Sequence, residues 1–94
     1  MKKNSIITED WEHCFICGCS NNLQKHHVMF GTANRKQSEK YGLTIPLCMD
    51  CHLGHKGIHN NNQLDIYIKM YAQIKFEINY SHELWVKVFM KNYL

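Results

Sequence analysis

The last third of the chain has the clearest alternation of apolar and polar positions. Apolar residues recur there every three or four positions, a spacing that is typical of an amphipathic helix and predicts one over residues 62–79. Asn61 or Asn62 can cap its start, and Ser81 predicts the start of a second helix of about ten residues. An aromatic stripe with this period indicates core packing rather than a base-stacking surface. The apolar positions are Leu64, Tyr67, Ile68, Tyr71, Ile74 and Ile78 in the first helix and Leu84, Trp85, Val88 and Phe89 in the second.

The first two thirds of the chain show shorter elements broken by glycine and proline. Gly42 is a typical helix stop, and Pro46 favours the edge of a sheet. After His52, Gly54 and Gly57 interrupt any long helix, so we expect a bent loop there. The predicted elements are a strand within 23–30, a helix over 34–41 with Tyr41 turned inward, an edge strand over 43–47, and the loop that carries His55 and His59.

The length of 94 residues predicts one small domain over 1–94, in which 14–60 form the core and 61–94 a helical extension. The formal net charge of +3 permits a nucleic-acid partner without requiring one. No run approaches the roughly 20 apolar residues of a membrane helix. The first 13 residues show no apolar segment of a secretion signal, so we expect a cytosolic compartment. Basic residues in or beside the core are Lys25, Arg35, Lys36, Lys40 and Lys56.

Two Cys-x-x-Cys pairs, Cys14 with Cys17 and Cys48 with Cys51, are the strongest chemical signal in the chain. Two residues between cysteines let both thiolates reach one ion, and two such pairs complete a tetrahedral zinc site. We therefore expect a structural Zn²⁺ with no open coordination position. Cys19 is out of register with both pairs, and we expect an unused thiol.

Five of the seven histidines lie between residues 26 and 59, in segments that the zinc would tie together. Neighbouring side chains on a strand point to opposite faces, so one residue of the pair His26-His27 can bind a metal while the other faces a substrate. Phosphodiester hydrolysis needs a base, a cation and phosphate-holding groups. Histidines, a divalent ion and nearby Lys or Arg supply these three. We therefore predict a hydrolytic site, and leave His13 and His82 outside it.

These motifs carry a resemblance. The order C-x-x-C, then HHV, then PLC-x-x-CH resembles the HNH endonucleases of the ββα-metal (His-Me finger) class in their zinc-bearing form. More narrowly, residues 26–59 are similar to small phage and prophage HNH-like proteins, akin to the RecA-dependent recombination nucleases. The resemblance implies a small α+β fold: a ββα-metal, treble-clef-like, zinc-stapled core followed by two C-terminal helices.

The resemblance also implies roles for single residues. His27 would be the general base, while His26 and His52 would hold a second divalent metal, Mg²⁺, Mn²⁺, Ni²⁺ or Zn²⁺. His59 would complete that metal site, with His55 as the alternative. We predict a metal-dependent DNA endonuclease in which Arg35 and Lys36 hold phosphate, acting in the cytoplasm of a bacterial host. A recombination or phage protein is a further candidate partner.

One position departs from the pattern of the HNH endonucleases. In that class an asparagine a few residues before the PLC segment braces the loop that holds the general base, and residues 42–45 of this chain contain no asparagine. Thr44 and Asn34 are the candidate replacements. Two rival functions remain open. The first is a non-catalytic zinc module that binds nucleic acid for phage recombination, and the second is a protein-interaction domain built on the C-terminal helices.

Overall fold

The chain folds around a small sheet with helices on either side. The computed structural model describes residues 5–55 and 57–94, so Lys56 lies outside the described residues. These residues form a small α+β fold with a two-stranded sheet and four α-helices. The elements in chain order are β1 (Gln24–His27), α1 (Thr32–Tyr41), β2 (Thr44–Leu47), α2 (Met49–Leu53), a 3-10 turn (Ile58–Asn60), α3 (Asn62–Asn79) and α4 (His82–Phe89).

The two strands pair antiparallel, with α1 inserted between them. In this register His26 lies opposite Ile45, and His27 lies opposite Thr44. All four residues of β2 are buried, as expected for an apolar strand that packs on both faces. The backbone N–H of Phe15 donates to the carbonyl of Pro46 over 2.8 Å, which docks the first Cys-x-x-Cys segment against the end of β2.

Helix α1 ends where the sequence predicted and begins two residues before the predicted start. Gly42 has a φ of +72° and ψ of 30°, the left-handed conformation that glycine adopts at little cost. The N–H groups of Gly42 and Leu43 both donate to the carbonyl of Ser38, which closes the last turn. The chain then reverses directly into β2. The prediction of a helix stopped by glycine is confirmed.

Side-chain caps start both C-terminal helices, as the sequence predicted. Asn61 accepts a hydrogen bond from the N–H of Leu64 over 3.1 Å, and Ser81 accepts one from the N–H of Leu84 over 3.0 Å. Trp85 and Phe89 are buried, with ring centroids 4.4 Å apart. These two aromatic side chains therefore belong to the core, which confirms the prediction for the second helix.

The buried face of α3 differs in part from the one that its apolar periodicity predicted, because Leu64 and Ile68 pack against the core while other apolar positions are exposed. Tyr67 and Ile78 are 71% and 73% exposed, whereas the polar residue Gln73 is completely buried. The buried side chain of Gln73 has hydrogen-bond partners. Its amide nitrogen donates to Asn92 over 2.8 Å, and its amide oxygen accepts from the N–H of Tyr93 over 2.8 Å. Because the partners of Gln73 lie near the C-terminus, the side of α3 that carries Gln73 is buried, and part of its apolar face is exposed to solvent. Among the described residues, no helix combines the length and the apolar run needed to cross a bilayer.

Candidate functional site

The four paired cysteines meet beside the sheet. Cys14 and Cys17 lie in the turn before β1, Cys48 directly precedes α2, and Cys51 lies within α2. The four sulfur atoms all lie within 4.8 Å of one another, and those of Cys17 and Cys48 are 3.6 Å apart. Such a cluster of four thiols can hold a metal ion such as zinc. Cys19 is not one of these four.

The first cysteine turn is closed by its own backbone. The N–H of Gly18 donates to the carbonyl of Cys14 over 3.0 Å, and the N–H of Cys14 donates to the carbonyl of Cys19 over 2.7 Å. Gly18 has a φ of +82°, which disfavours any residue with a side chain. The N–H of Cys17 also points at the sulfur of Cys14, 3.5 Å away. The turn therefore presents both sulfurs on one side.

The surroundings of the thiols favour the charged form for part of the cluster. Burial works to raise the pKa of Cys14, but hydrogen bonds from the backbone, foremost the N–H groups of Cys17 and Cys48, lower that pKa to about 6. The N–H of Cys51 lowers the pKa of Cys48. By contrast, burial and the neighbouring thiols raise the pKa of Cys51. A cation bound between the sulfurs would favour the thiolate form of all four cysteines, and thiolates are the form that zinc binds.

A second cluster consists of three histidines from three elements: His26 in β1, His52 in α2 and His59 in the 3-10 turn. One ring nitrogen from each lies within 4.8 Å of the other two. His26 is 1% exposed, and its Nε2 is buried without a hydrogen-bond partner in the described part of the chain. Because a buried polar atom without a partner is costly, this nitrogen fits a metal ligand. Nitrogen donors of this kind suit a divalent cation.

His26 and His52 are held in the form that binds metals. Burial, followed by the neighbouring rings of His52 and His59, lowers the pKa of His26 from 6.5 to about 3. Burial likewise lowers the pKa of His52. Both rings are therefore neutral at pH 7, and a neutral imidazole has the lone pair that a ligand requires.

Two neighbours of this cluster were not predicted from the sequence. Gln24 accepts a hydrogen bond from Nδ1 of His52 over 2.7 Å, which leaves Nε2 of His52 as the free nitrogen. The ring of Phe30 lies against His59, with centroids 5.1 Å apart. The signal for Gln24 was available, because it lies two positions before His26 and strand side chains alternate. It was not recognisable until β1 and α2 were known to pack together.

His27 lies on the opposite face of β1 from His26. Its Nε2 is 2.8 Å from a carboxylate oxygen of Glu39 in α1, and the other carboxylate oxygen is 2.7 Å from the ammonium of Lys25. Hydrogen bonds from Lys25 foremost and from His27 lower the pKa of Glu39, so the carboxylate is ionised at neutral pH. Glu39 is the main site residue that sequence reasoning missed.

Both faces of β1 border one groove with a volume of about 940 Å³. Arg35 and Lys36, the predicted phosphate ligands, lie on its wall within α1 and are exposed. Basic side chains outnumber the single acidic one in this lining, which suits a polyanion. The residues that line the groove are Lys25, His26, His27, Phe30, Gly31, Thr32, Arg35, Lys36, Glu39 and His52.

The loop that follows His27 is braced by a serine. Ser38 is completely buried; its hydroxyl donates to the carbonyl of Met29 over 2.8 Å and accepts from the N–H of Met29 over 3.1 Å. Thr44 lies opposite His27 in the sheet, and Asn34 lies in the first half of α1. Ser38 is thus a residue that holds this loop from α1 and that the sequence analysis did not name.

The structure also separates the two candidates for the third histidine ligand. His59 lies in the 3-10 turn with its ring centroid 4.9 Å from that of His52. His55 lies in an exposed turn after α2 and is not a member of the three-histidine group. His13 and His82 are exposed and bind Asp10 and Glu77, respectively, away from the groove.

No protein-family model matches the chain, and comparisons with curated proteins and with solved structures give no significant match. The resemblance to HNH endonucleases therefore rests on the motifs quoted above and stays a prediction. Any function has to be inferred from the chemistry of the two clusters and the groove between β1 and α1.

Proposed function

We propose that the chain is a metal-dependent HNH-type endonuclease that hydrolyses DNA phosphodiester bonds. The observation that supports it best is the placement of His26 and His27. His26 belongs to a three-histidine group, and its own Nε2 is buried without a hydrogen-bond partner among the described residues, while His27 leaves the opposite face of β1 beside the basic side chains of the groove. Under this proposal the strands, α2 and the cysteine turns correspond to a ββα-metal, treble-clef-like core.

The two clusters have separate tasks in this proposal. The four cysteines would hold a structural Zn²⁺ that ties the first turn to α2. His26, His52 and His59 would hold the second divalent ion, for which three nitrogen donors suit Zn²⁺ or Ni²⁺ and leave Mg²⁺ or Mn²⁺ as further candidates. Bound there, a divalent ion would stabilise negative charge on the phosphate oxygens during cleavage.

His27 is the general base in this proposal. Because its Nε2–H donates to Glu39, its Nδ1 carries the lone pair that can accept a proton from water. The water would then form a bond to the phosphorus of a strand lying in the groove while the bond from phosphorus to one sugar oxygen breaks, and that oxygen would leave and take up a proton from solvent. Arg35 and Lys36 would bind the phosphates on either side of the scissile bond and align it.

DNA is the partner that follows from this chemistry. A recombination or phage protein is a further partner in the proposal, because few side chains of the groove are free to read bases. The corresponding location is the cytoplasm of a bacterial host cell.

A supercoiled-plasmid nicking assay across Mg²⁺, Mn²⁺, Ni²⁺ and Zn²⁺ tests the proposal. We expect the wild type to nick with at least one ion and His27→Ala to lose nicking while it keeps its zinc. His82→Ala removes an exposed histidine outside the groove and should nick like the wild type. Undiminished nicking by His27→Ala would refute the mechanism. DNA binding without nicking at any ion would favour the non-catalytic zinc module.

A further inference from the structure

One carboxylate joins two side chains on the face of β1 that is turned toward α1. The two oxygens of Glu39 are used separately, one by Nε2 of His27 at 2.8 Å and the other by the ammonium of Lys25 at 2.7 Å. The side chains of Lys25 and His27 are 17% and 15% exposed, and that of Glu39 is 40% exposed. The arrangement is therefore half-buried and opens to the groove.

The fold defines this arrangement from both sides. Lys25 and His27 are two positions apart in β1, so their side chains leave the same face of the strand. Ser38 anchors α1 to the loop after β1 through two hydrogen bonds with Met29. Glu39 follows Ser38 directly, and the anchored helix places its carboxylate opposite that strand face.

The contact has a chemical consequence for His27. A carboxylate accepts hydrogen bonds and donates none, so Nε2 of His27 must carry the hydrogen. In the neutral ring the lone pair then belongs to Nδ1 alone. In an imidazole without such a partner the proton is distributed between both nitrogens, so Nδ1 has its lone pair free for only part of the time.

We propose that Glu39 is a positioning residue that holds His27 in the Nε2–H tautomer, while Lys25 holds the second oxygen of the carboxylate. Its relevance to catalysis rests on the proposed function, in which Nδ1 of His27 accepts the proton of water. Glu39 touches neither DNA nor water in this role. It acts through the ring of His27.

The charge of the groove argues against Glu39 as a mere surface partner of Lys25. Lys25, Arg35 and Lys36 line the groove, and a carboxylate among them weakens the attraction of phosphate. A carboxylate that only paired with Lys25 would therefore weaken the binding of phosphate and contribute nothing to the chemistry of the groove. The bond to His27 supplies a reason for an acidic residue at this position.

Nitrogen-15 NMR of the histidine rings, at a pH where His27 is neutral, tests the tautomer without any activity measurement. We expect the wild type to show the Nε2–H form alone and Glu39→Ala to show a mixture. Glu39→Gln keeps an acceptor oxygen and should retain the single form. Glu77→Ala removes another carboxylate bound to a histidine, His82, and should leave the His27 signals unchanged. A single unchanged tautomer in Glu39→Ala would overturn the proposal.

Kinetics of plasmid nicking test the consequence. Glu39→Ala should lower kcat by roughly 10- to 100-fold, a part of what a general base contributes, while KM stays equal or falls. Glu39→Gln should recover most of the loss, and Glu77→Ala should match the wild type. An unchanged kcat in Glu39→Ala would overturn the positioning role. If the wild type does not nick, the proposed function fails, and the NMR result still decides whether Glu39 holds the ring.

Discussion

Gln24 and His52 are joined by a 2.7 Å hydrogen bond between the side-chain oxygen of Gln24 and Nδ1 of His52. The two residues are 28 positions apart, and the bond links the first residue of β1 to the last turn of α2. It leaves Nε2 of His52 as the ring nitrogen not engaged by Gln24, in a histidine that shares a cluster with His26 and His59. The orientation of the three-histidine cluster thus depends on a residue that is not itself a ligand.

Gln24→Leu should therefore weaken cation binding at the histidines. We expect a loss of about 10- to 100-fold in affinity, the usual effect of removing a partner that orients a ligand. Calorimetric titration of Ni²⁺ into zinc-loaded protein measures it. Gln63→Leu, at an exposed position of α3, is the matched control and should keep the wild-type affinity. Equal affinity in Gln24→Leu would show that the bond does not orient His52.

Removing a thiol of the paired set should release zinc and unfold the core. Cys17→Ser leaves three thiolates for the ion, whereas Cys19→Ser removes a cysteine outside the four. Because a structural metal contributes its binding free energy to folding, we expect Cys17→Ser to lose both zinc and its cooperative thermal transition. Cys19→Ser should keep one zinc per chain. Elemental analysis measures the zinc content, and circular dichroism measures the thermal transition. Loss of zinc in Cys19→Ser would contradict the four-cysteine assignment.

Acid should destabilise the fold when the histidine cluster holds no cation. The pKa of His26 is about 3 in the folded protein, below its ordinary value of 6.5. Between these values the unfolded chain binds a proton that the folded chain does not, so the free energy of unfolding falls as the pH falls below 6.5. One such group contributes up to about 1.4 kcal/mol per pH unit.

Urea unfolding between pH 7.5 and pH 5 measures this dependence. His26→Phe cannot titrate at this position and should show a shallower slope, and the difference from the wild type isolates the contribution of His26. His82→Gln, which removes an exposed histidine, should keep the wild-type slope. Identical slopes in the wild type and His26→Phe would contradict the lowered pKa.

Arg35→Ala and Lys36→Ala should each weaken DNA binding without changing its sequence dependence. Both side chains lie on the groove wall, where a contact with phosphate releases a counterion. Each variant should reduce the slope of log affinity against log salt by about 1. Fluorescence anisotropy across salt concentrations measures the slope. Lys87→Ala, at an exposed position of α4, is the control, and an equal reduction in that variant would show that only net charge matters.

Trp85 and Tyr67 should differ sharply in their effect on stability, although both are aromatic residues of the C-terminal helices. Trp85 is completely buried, and Trp85→Ala should lower the free energy of unfolding by about 3–5 kcal/mol. Tyr67 is 71% exposed, so Tyr67→Ala should change it by about 0.5 kcal/mol or less. Chemical denaturation of zinc-loaded protein measures both. Similar losses would mean that α3 packs with its other face inward.

Several features of this protein follow from the sequence because the physical causes act over a few residues. The caps Asn61 and Ser81, the stop at Gly42 and the bounds of α3 depend on local hydrogen bonds and backbone angles, and all were predictable. The spacing of the cysteine pairs likewise restricts which sulfurs can share one ion. The opposite directions of His26 and His27 follow from the alternation of a strand.

Tertiary packing decided the rest, because it brings together side chains whose separation in the chain carries no signal. Glu39 meets His27, and Gln24 meets His52, only once α1 and α2 are placed against β1. The choice of His59 over His55 depends on the 3-10 turn that follows α2. The buried face of α3 was decided by partners for Gln73 near the C-terminus, since a satisfied polar side chain can be buried while an apolar one stays in water.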